Sequence, residues 1–322
     1  MKNYKIPKNS VYDVVIIGGA IMGTSAAWFL SNNSDFNGSI LVVEKDPSYE
    51  KCSTSHTNSC IRQQFSTELN IKISQFTAEY IKNFCAQMGG NYEIPNLKIH
   101  NFGYLYLSNN KSFSKTLIKS QKLQINCGAA TKILNPDDIL KLYPFYNVND
   151  ILLGSHNTKD EGYFEGSTMF EWWKNSAKKN NVEYLHNEVV SMSLNNSKTN
   201  IDKIKLKTGE EIKCGKIVNA SGPRAILTSR MAGIEIPVEP RKRFTFIFSS
   251  QKPLDRDLPL TIDPSGIHMR QYGKNKYMAG CLPNPDPAVD FDDFKEDNNI
   301  WQDYLWPLIA NRIPQFDALK IE

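Results

Sequence analysis

The first fifty residues carry a pattern of apolar positions that predicts a buried strand, a helix and a second buried strand. Residues 14–17 form a continuous β-branched run, as in a parallel strand that is covered on both faces. Gly18 follows directly, and residues 21–30 repeat apolar side chains at helical spacing. A second apolar run, "SILVVEKD", ends in Glu44. This order of elements predicts a parallel α/β domain.

The rest of the chain predicts a different kind of sheet. "FGYLYLS" alternates like a half-exposed antiparallel strand, and "SGIHMRQYGKNKYMAG" reads as a hairpin with "YGKN" at its turn. Residues 67–88 repeat apolar side chains from Ile73 to Phe84 every three or four residues and predict a helix. "IWQDYLWPLIANRI" predicts another helix, which Pro307 should kink or divide. We expect an α/β fold with a Rossmann-like domain and a discontinuous, mainly antiparallel second domain.

Length and charge limit the number of domains and the kinds of partner that the protein can have. A chain of 322 residues exceeds one typical domain, so two domains are expected. The net charge of +4 comes from scattered lysines, and the one dense cluster, "PRKR" at residues 240–243, precedes an apolar strand-like run. A nucleic-acid footprint needs a broader basic surface. We therefore predict no nucleic-acid partner and interpret the cluster as a solvated strand end that could attract an anionic substrate.

Cysteine spacing and the first residues bear on location. The six cysteines contain no C-x-x-C pair, which argues against a zinc site, a redox dithiol and a disulfide framework. Residues 1–10 lack the apolar core of a signal peptide. Residues 14–34 carry no charge, but three glycines and several polar residues interrupt them, so we predict no transmembrane segment. We expect a cytoplasmic protein without a metal.

The glycine-rich turn is the first candidate site. It follows the dinucleotide fingerprint G-x-G-x-x-G, with Gly18 and Gly23 at the outer positions and Ala20 at the middle one. Main-chain N–H groups bind the pyrophosphate in this motif, so the methyl of Ala20 narrows the site without removing a donor. Glu44 can take both ribose hydroxyls of an adenosine and would repel a 2'-phosphate. The predicted dinucleotide-binding residues are Gly18, Gly19, Ala20, Ile21, Met22, Gly23, Glu44 and Lys45.

The segment "CSTSHTNSCIRQQFSTELN" resembles the FAD-dependent oxidoreductases of the D-amino-acid oxidase type, the group that holds sarcosine oxidase, glycine oxidase and dimethylglycine dehydrogenase. The similarity continues through "DEGYFEGSTMFEWW" and "GKIVNASGP". "IPVEPRKRF", "DPSGIHMRQYG" and "WPLIANRIPQFDALK" resemble bacterial relatives of the mitochondrial FAD oxidoreductase associated with assembly of respiratory complex I. The resemblance implies FAD as the cofactor. It implies an FAD-binding domain at residues 11–92 and 151–233 and a substrate domain at residues 93–150 and 234–322.

Further FAD contacts follow from the resemblance. The loop hydroxyls and amides can bind the ribityl chain or the diphosphate, and the small-residue turn "NASGP" allows close approach of the cofactor. His56 matches a histidine that links flavin covalently in dimethylglycine and sarcosine dehydrogenases. Thr57, Asn58 and Ser59 replace the small residues beside that histidine, so we expect noncovalent packing beside the flavin, with a covalent bond as the alternative. The residues concerned are Ser53, Thr54, His56, Thr57, Asn58, Ser59, Val189 at the adenine, Ala220, Ser221 and Gly222.

The candidate catalytic residues are Arg62, His268 and Arg270. Family position puts Arg62 at the flavin edge or the substrate mouth, and a structural ion pair is its alternative. Alternation places His268 and Arg270 on one face of the hairpin. In the relatives this face is turned to the flavin and a cation there holds the amino-acid carboxylate, for which Arg270 is our candidate. Both side chains could instead face solvent.

The resemblance implies oxidation of a small amine or amino acid, such as sarcosine, dimethylglycine or glycine, with hydride transfer to flavin N5 and hydrolysis of the resulting imine. The lysine that sarcosine oxidases place near the flavin for oxygen activation falls on or beside Met278, and Lys276 lies two residues short. The acceptor is therefore oxygen or an electron-transfer protein. The alternatives are a catalytically weak flavin-binding assembly factor and an NAD-dependent dehydrogenase. Relatives continue past "ALKIE" with a glycine-rich strand and helix, so we expect a truncated sequence.

Overall fold

The computed structural model describes residues 3–197, 199–283 and 285–322. The chain divides into two compact units: unit 1 is Met1–Asn58, Glu165–Pro240 and Ala288–Asp292, and unit 2 is Ser59–Phe164, Arg241–Pro287 and Asp293–Glu322. Residues 59–92 and 151–164 thus group with unit 2, whereas the sequence-based division places them in the FAD-binding domain. The functional division stays a prediction.

Strands and helices are interspersed along the chain, with runs of consecutive strands at residues 183–219 and 244–281. The strands are β1 (Val11–Ile17), β2 (Ile40–Glu44), β3 (Cys60–Ile61), β4 (Tyr104–Ser108), β5 (Lys132–Leu134), β6 (Leu153–Asn157), β7 (Gly162–Tyr163), β8 (Glu183–His186), β9 (Val189–Leu194), β10 (Ile201–Leu206), β11 (Glu211–Asn219), β12 (Phe244–Ser250), β13 (Leu260–Ile262), β14 (Ile267–Gln271), β15 (Lys276–Cys281) and β16 (Leu319–Ile321). The helices are α1 (Ile21–Ser31), α2 (Glu68–Lys82), α3 (Phe84–Gln87), α4 (Lys111–Asn126), α5 (Pro136–Leu142), α6 (Gly166–Lys179), α7 (Ala225–Met231) and α8 (Trp306–Arg312). Within the described ranges, no helix has both the length and the apolar character needed to cross a membrane.

Unit 1 is built on a six-stranded sheet in the order β8-β2-β1-β11-β10-β9. The first four strands are parallel, and β10 and β9 add antiparallel pairs at one side. The run that predicted a strand covered on both faces is β1, in which Val15 and Ile16 are fully buried. Helices α1 and α6 pack together, with the rings of Trp28 and Trp173 stacked at 6.0 Å. The predicted strand, turn, helix and strand are therefore confirmed.

Unit 2 is built on an eight-stranded sheet in the order β16-β12-β15-β14-β13-β4-β6-β5. The pair β13 and β4 is parallel, and the other neighbours are antiparallel. Strands β14 and β15 form the predicted hairpin, turning at residues 272–275. The expectation of a half-exposed strand at "FGYLYLS" is wrong, because four of the five residues of β4 are buried and the fifth is partly buried. Both faces of this strand are covered.

The predicted helix over residues 67–88 forms as α2 and α3, separated at Asn83. Only part of the predicted apolar repeat is buried. Tyr80 and Phe84 lie in the core, whereas Ile73 and Phe76 are exposed. Ile71, Ala78 and Ile81 are buried instead. Both sets repeat at helical spacing, so the apolar pattern alone could not identify the face that meets the core.

Pro307 divides the last predicted helix, as expected. Residues Trp301–Leu305 form a π-helical turn that runs directly into α8. Proline lacks the N–H needed for the i to i−4 hydrogen bond, so the α-helical pattern starts anew around it. Arg312 at the end of α8 is buried between Asp263, at 2.5 Å, and Asp150, at 2.8 Å. These ion pairs tie α8 to the turn between β13 and β14, through Asp263, and to the segment before β6, through Asp150.

Candidate functional site

The glycine-rich turn of unit 1 has a backbone that only glycine suits at its outer positions. Gly18 has φ of +98°, and a Cβ atom there would overlap the carbonyl oxygen of Ala220. A Cβ atom at Gly23 would overlap the carbonyl oxygen of Gly18. A side chain at either position would collide with a neighbouring backbone carbonyl, which explains why both residues are glycine. Ala20, at the middle position, is the N-cap residue of α1 with extended backbone.

The N-terminus of α1 lacks the usual side-chain partners. Ala20 offers no side-chain cap, and the first turn contains no acidic residue. One exception is the N–H of Ile21, which donates to Thr54 Oγ1 at 3.3 Å. Met22 in the same turn is 70% exposed. A helix end with this arrangement suits an anion, because its first N–H groups and its dipole both point outward.

Glu44 lies at the end of β2, beside the turn. One carboxylate oxygen accepts from the N–H of Gly19 at 2.7 Å, and the other accepts from the N–H of Asp46 at 2.7 Å. The carboxylate is thereby fixed next to the N-terminus of α1 while keeping lone pairs for a ligand's hydroxyls. Lys45 is engaged elsewhere, in an ion pair with Glu188 at 3.0 Å.

The loop after β2 brings some of the predicted FAD contacts to the turn. Thr54 is placed there by its bond to Ile21. The ring Nε2 of His56 lies 2.7 Å from the carbonyl oxygen of Glu50, on an exposed part of the loop. Ser53 and Thr57 are exposed, and Asn58 is partly buried. The contact of these residues with FAD, covalent or noncovalent for His56, stays a prediction.

Three further predicted residues follow β11, and one begins β9. Ala220 lies against the turn, since its N–H donates to the carbonyl oxygen of Ile17 at 2.9 Å. Ser221 bonds to Asn219 and Thr228, and Gly222 starts a short 3-10 turn. Val189 is buried in the apolar core of the sheet. The structure thus gathers Ala220, Thr54 and Glu44 around the turn, while the adenine contact of Val189 stays a prediction.

Unit 2 carries the predicted catalytic residues, and its large sheet has two different faces. One face is apolar and includes Leu105 and Leu107 of β4 with Ile267 and Met269 of β14. Because side chains alternate along a strand, the opposite face carries a polar set: Tyr104, Tyr106, His268 and Arg270. His268 and Arg270 therefore share one face, as expected, and Arg270 is only 3% exposed. The alternative in which Arg270 faces solvent does not hold.

The guanidinium of Arg270 is packed among aromatic rings. It lies 5.1 Å from the ring centre of Tyr163 and 5.6 Å from that of Tyr272. Its Nη1 donates to the carbonyl oxygen of Gln271 at 2.6 Å. Burial is the main cause that lowers the pKa of His268, and the positive charge of Arg270 lowers it further. His268 is therefore a neutral neighbour of a buried cation.

Arg62 follows β3 and is also stacked on rings. Its guanidinium lies 4.6 Å from the ring centre of Phe65 and 5.8 Å from that of Tyr104. The Nε atom is buried and has no hydrogen-bond partner among the residues that the structure describes. A buried N–H without an acceptor is costly. In the native complex we expect a ligand oxygen to supply that acceptor.

The two arginines converge on shared neighbours. Cys60 pairs with Tyr163 across the short sheet of β3 and β7. Burial raises the pKa of Cys60 to about 11, while the charge of Arg270 and a hydrogen bond with Tyr104 lower it. Cys60 therefore lies close to both Arg270 and Tyr104. Burial also raises the pKa of Tyr104, and the charge of Arg62 opposes it. We call the set Arg62, Tyr104, Tyr106, Tyr163 and Arg270 the tyrosine–arginine face.

Met278 occupies the position opposite Arg270 on the neighbouring strand β15 and is buried. Lys276, at the start of the same strand, forms an ion pair with Glu322 at 3.0 Å. The position that matched the oxygen-activating lysine of relatives is therefore apolar, and the nearby lysine is committed to another partner.

Sequence reasoning missed Glu161, which is fully buried beside Arg62. Its carboxylate accepts from the N–H of Gln63 at 2.7 Å and from Nε2 of Gln64 at 2.9 Å. Burial raises its pKa to about 7, although hydrogen bonds and the charge of Arg62 pull the other way. Glu161 lies within "DEGYF", part of the segment that resembles the family. Its position before a glycine is typical of an exposed turn residue, so the sequence gives no sign that this carboxylate is buried.

The basic side chains of residues 241–243 are bound by two aspartates of unit 2. Arg243 forms two bonds with Asp286, and Arg241 donates to the carbonyl oxygen of Asp286. Lys242 pairs with Asp293 at 2.6 Å. The acidic segment that follows β15 therefore partly compensates the charge of this cluster, and attraction of an anionic substrate by the cluster stays a prediction.

Comparisons with known proteins agree with these features. The family model described as "FAD dependent oxidoreductase" (DAO) matches residues 13–322. The "FAD-dependent oxidoreductase domain-containing protein 1" of Xenopus laevis is 29% identical over 96% of this chain and 68% of its own length. The crystal structure of L-proline dehydrogenase from P. horikoshii superposes with a TM-score of 0.80 at 23% identity, covering 98% of this chain and 80% of that one. Glycine oxidase from Geobacillus kaustophilus gives a TM-score of 0.77 at 15% identity over 98% and 81%.

These matches confirm the predicted resemblance, the α/β fold class and FAD as the cofactor, in place of the NAD-dependent alternative. The residues of unit 1 fit this cofactor. The outer glycines leave room that a Cβ atom would fill, the N-terminus of α1 offers N–H groups to a diphosphate, and Glu44 offers a carboxylate to ribose hydroxyls.

Proposed function

Since this chain belongs to the DAO family of FAD-dependent oxidoreductases, we propose that it oxidises a small amine or amino acid that carries a carboxylate. Sarcosine, dimethylglycine, glycine and proline are the first compounds of this class to test. One observation supports this choice above others: the buried guanidinium of Arg270 and the partly buried guanidinium of Arg62 converge on one tyrosine-lined face. Two cations brought together with little access to water suit an anionic ligand.

In this proposal Arg270 and Arg62 bind the carboxylate of the substrate. A guanidinium presents several N–H donors in a planar fork that matches the two oxygens of a carboxylate. The tyrosine rings exclude water from the same surface and hold the guanidinium groups in place. FAD, when bound, supplies the acceptor for a hydride equivalent from the C–H next to the amine nitrogen. The resulting imine is then hydrolysed by water.

The cofactor contacts are proposed as predicted from the sequence. Main-chain N–H groups of residues 18–23 hold the diphosphate, and Glu44 holds the adenosine ribose. Thr54 and Ala220 lie close enough to the turn to contribute. Lys45 acts at most through its partner Glu188, because its ammonium is already paired.

We propose an electron-transfer protein as the acceptor that reoxidises the flavin. The support is Met278, an apolar side chain beside Arg270 where oxygen-using relatives are expected to carry a lysine. A cytoplasmic location stays a prediction.

Anaerobic substrate screening tests the proposed activity. We expect one of the four amines to bleach the flavin absorbance of the FAD-bound protein in the absence of oxygen. The ethyl ester of the same amine should bleach it at least about tenfold more slowly, since the ester lacks the charge that a guanidinium stabilises by about 1.5–3 kcal/mol. Aerobic turnover without an added electron acceptor should be slow.

The outcome that contradicts the proposal is a yellow protein that no carboxylate-bearing amine reduces, although dithionite does. Equal rates for the amine and its ester would instead reject the carboxylate contact while keeping the oxidoreductase.

A second candidate is a flavin-binding assembly factor for a respiratory complex with weak catalysis. One observation favours it. The exposed side of α2 carries an apolar stripe of Leu69, Ile73 and Phe76, which are 68%, 53% and 62% exposed. Contiguous exposed apolar residues often mark a contact surface. Co-purification with membrane-complex subunits, together with no amine-dependent bleaching, would support this candidate.

A further inference from the structure

Glu161 is a buried carboxylate with no role in the proposed chemistry so far. The turn between β6 and β7 fixes its position. Asp160 adopts φ of +55°, and a Cβ atom at Gly162 would overlap the carbonyl oxygen of His100. The carbonyl oxygen of Glu161 itself accepts from the N–H of Gly103 at 3.1 Å. The constrained backbone of this turn therefore directs the side chain of Glu161 into the protein interior.

The carboxylate of Glu161 holds the segment that carries Arg62. Gln63 and Gln64, the two residues after Arg62, donate to its two oxygens. Gln64 is itself held by Ser155, which donates to its Oε1 at 2.8 Å. Asn157 provides a further hydrogen bond to Glu161. The position of the Arg62 backbone thus depends on Glu161.

Hydrogen bonds from Gln64, Gln63 and Asn157 are the main interactions that stabilise ionised Glu161, and the positive charge of Arg62 adds to them. A buried carboxylate needs such compensation, because transfer from water strongly disfavours the charged form. An anion that binds to Arg62 competes for the same positive charge. It adds a negative charge next to Glu161 at the same time.

We propose, on the basis of the proposed function, that Glu161 positions Arg62, serves as its counter-charge before substrate binds, and takes up a proton from solvent when a carboxylate binds to Arg62. The proton neutralises one of two carboxylates that would otherwise share one guanidinium. Binding of an anionic substrate is thereby coupled to pH.

The pKa of Glu161 places this coupling near neutral pH. Burial raises it to about 7, so the side chain is about half ionised there before an anion binds. Loss of the opposing charge of Arg62 raises it further. The titratable or charged groups around Glu161 are Arg62, Tyr106 on β4, Lys159, Asp160 with its partner Lys82 on α2, and His100 beside β7.

Calorimetry of carboxylate binding tests the proposal. The FAD-bound protein is titrated with benzoate, a carboxylate without an oxidisable amine, in Pipes and in imidazole buffers at the same pH. These buffers differ in ionisation enthalpy, so the difference in binding heat counts the protons exchanged. We expect uptake of up to about half a proton per benzoate at pH 7 and about a tenth at pH 6, where Glu161 is already mostly protonated.

Two variants identify the group that takes up the proton. Glu161→Gln removes the charge at nearly the same size, and proton uptake should disappear. His268→Asn removes the nearest imidazole to Arg270, and uptake should persist. Asp160→Asn is the control for a neighbouring carboxylate, because asparagine also tolerates a left-handed backbone and uptake should be unchanged.

The outcomes separate this inference from the proposed function. Benzoate binding with equal heats in both buffers at pH 7 overturns the role of Glu161 and leaves the carboxylate site intact, and this result does not require any variant to fold. Uptake that persists in Glu161→Gln also overturns it. Failure of benzoate to bind at any pH rejects the anion site and the inference together.

Discussion

Replacement of Arg270 by methionine should lower kcat/KM for a carboxylate-bearing amine by about 10²–10³-fold, since loss of one partner of a buried charge pair costs about 2–5 kcal/mol. Methionine fills much of the space between Tyr163 and Tyr272 but provides neither charge nor N–H donors. Arg270→Lys should recover only part of the loss, because an ammonium lacks the planar fork. Flavin reduction followed anaerobically in a stopped-flow instrument measures both variants.

The matched control for Arg270 is Lys276→Gln. Lys276 is a cation on the adjacent strand, but it is paired with Glu322 and lies outside the tyrosine–arginine face. Its replacement should leave flavin reduction unchanged. Oxidation of the ethyl ester, which has no carboxylate, should be slow and nearly the same in Arg270→Met and the original protein. If Arg270→Met reduces its flavin with unchanged kinetics on the carboxylate substrate, Arg270 is not part of the substrate site.

The sequence predicted the parts of the molecule whose constraints are local. Gly18 and Gly23 meet backbone atoms within a few ångströms, and only glycine allows this, so the turn is visible in the sequence. Hairpin β14 and β15 was also predictable, because alternation and a short turn occur within sixteen residues. The shared face of His268 and Arg270 follows from the same alternation.

Features that depend on contacts distant in sequence were not predictable in this way. Helix α2 has two apolar stripes, and only the tertiary fold decides that Ile71 rather than Phe76 meets the core. Strand β4 alternates tyrosine with leucine, which suggests one exposed face, but the tyrosines are covered by the segment that contains Arg62. Glu161 is buried by partners almost one hundred residues away.

The ion pairs of the basic cluster at residues 240–243 also depend on contacts that are distant in sequence. Arg241, Lys242 and Arg243 form a concentrated positive run in the sequence, yet Asp286 and Asp293, more than forty residues later, bind all three and compensate part of their charge. Arg62 and Arg270 are isolated in sequence and converge in space. Charge density along the chain therefore does not identify which cations lie together in the fold.

Replacement of Gly18 by alanine should weaken FAD binding by up to about 10²-fold, because a left-handed backbone costs a side-chain-bearing residue about 1–3 kcal/mol. The added Cβ atom would also overlap the carbonyl oxygen of Ala220. Relief of this overlap requires movement of the turn, which displaces the N–H groups at the start of α1 that we assign to the diphosphate. Flavin absorbance retained after gel filtration, and titration of the apoprotein with FAD, measure the effect.

Ala20→Gly is the control variant for Gly18→Ala, because it changes the same turn without adding a side chain. It restores the middle glycine of the fingerprint and removes a methyl group from a position with ordinary extended backbone, so FAD binding should be retained or become tighter. A general loss of stability caused by any change in the turn would affect both variants alike. Opposite effects of Gly18→Ala and Ala20→Gly on FAD affinity would therefore assign the diphosphate to the backbone of this turn, whereas unchanged FAD affinity in Gly18→Ala would place the cofactor elsewhere.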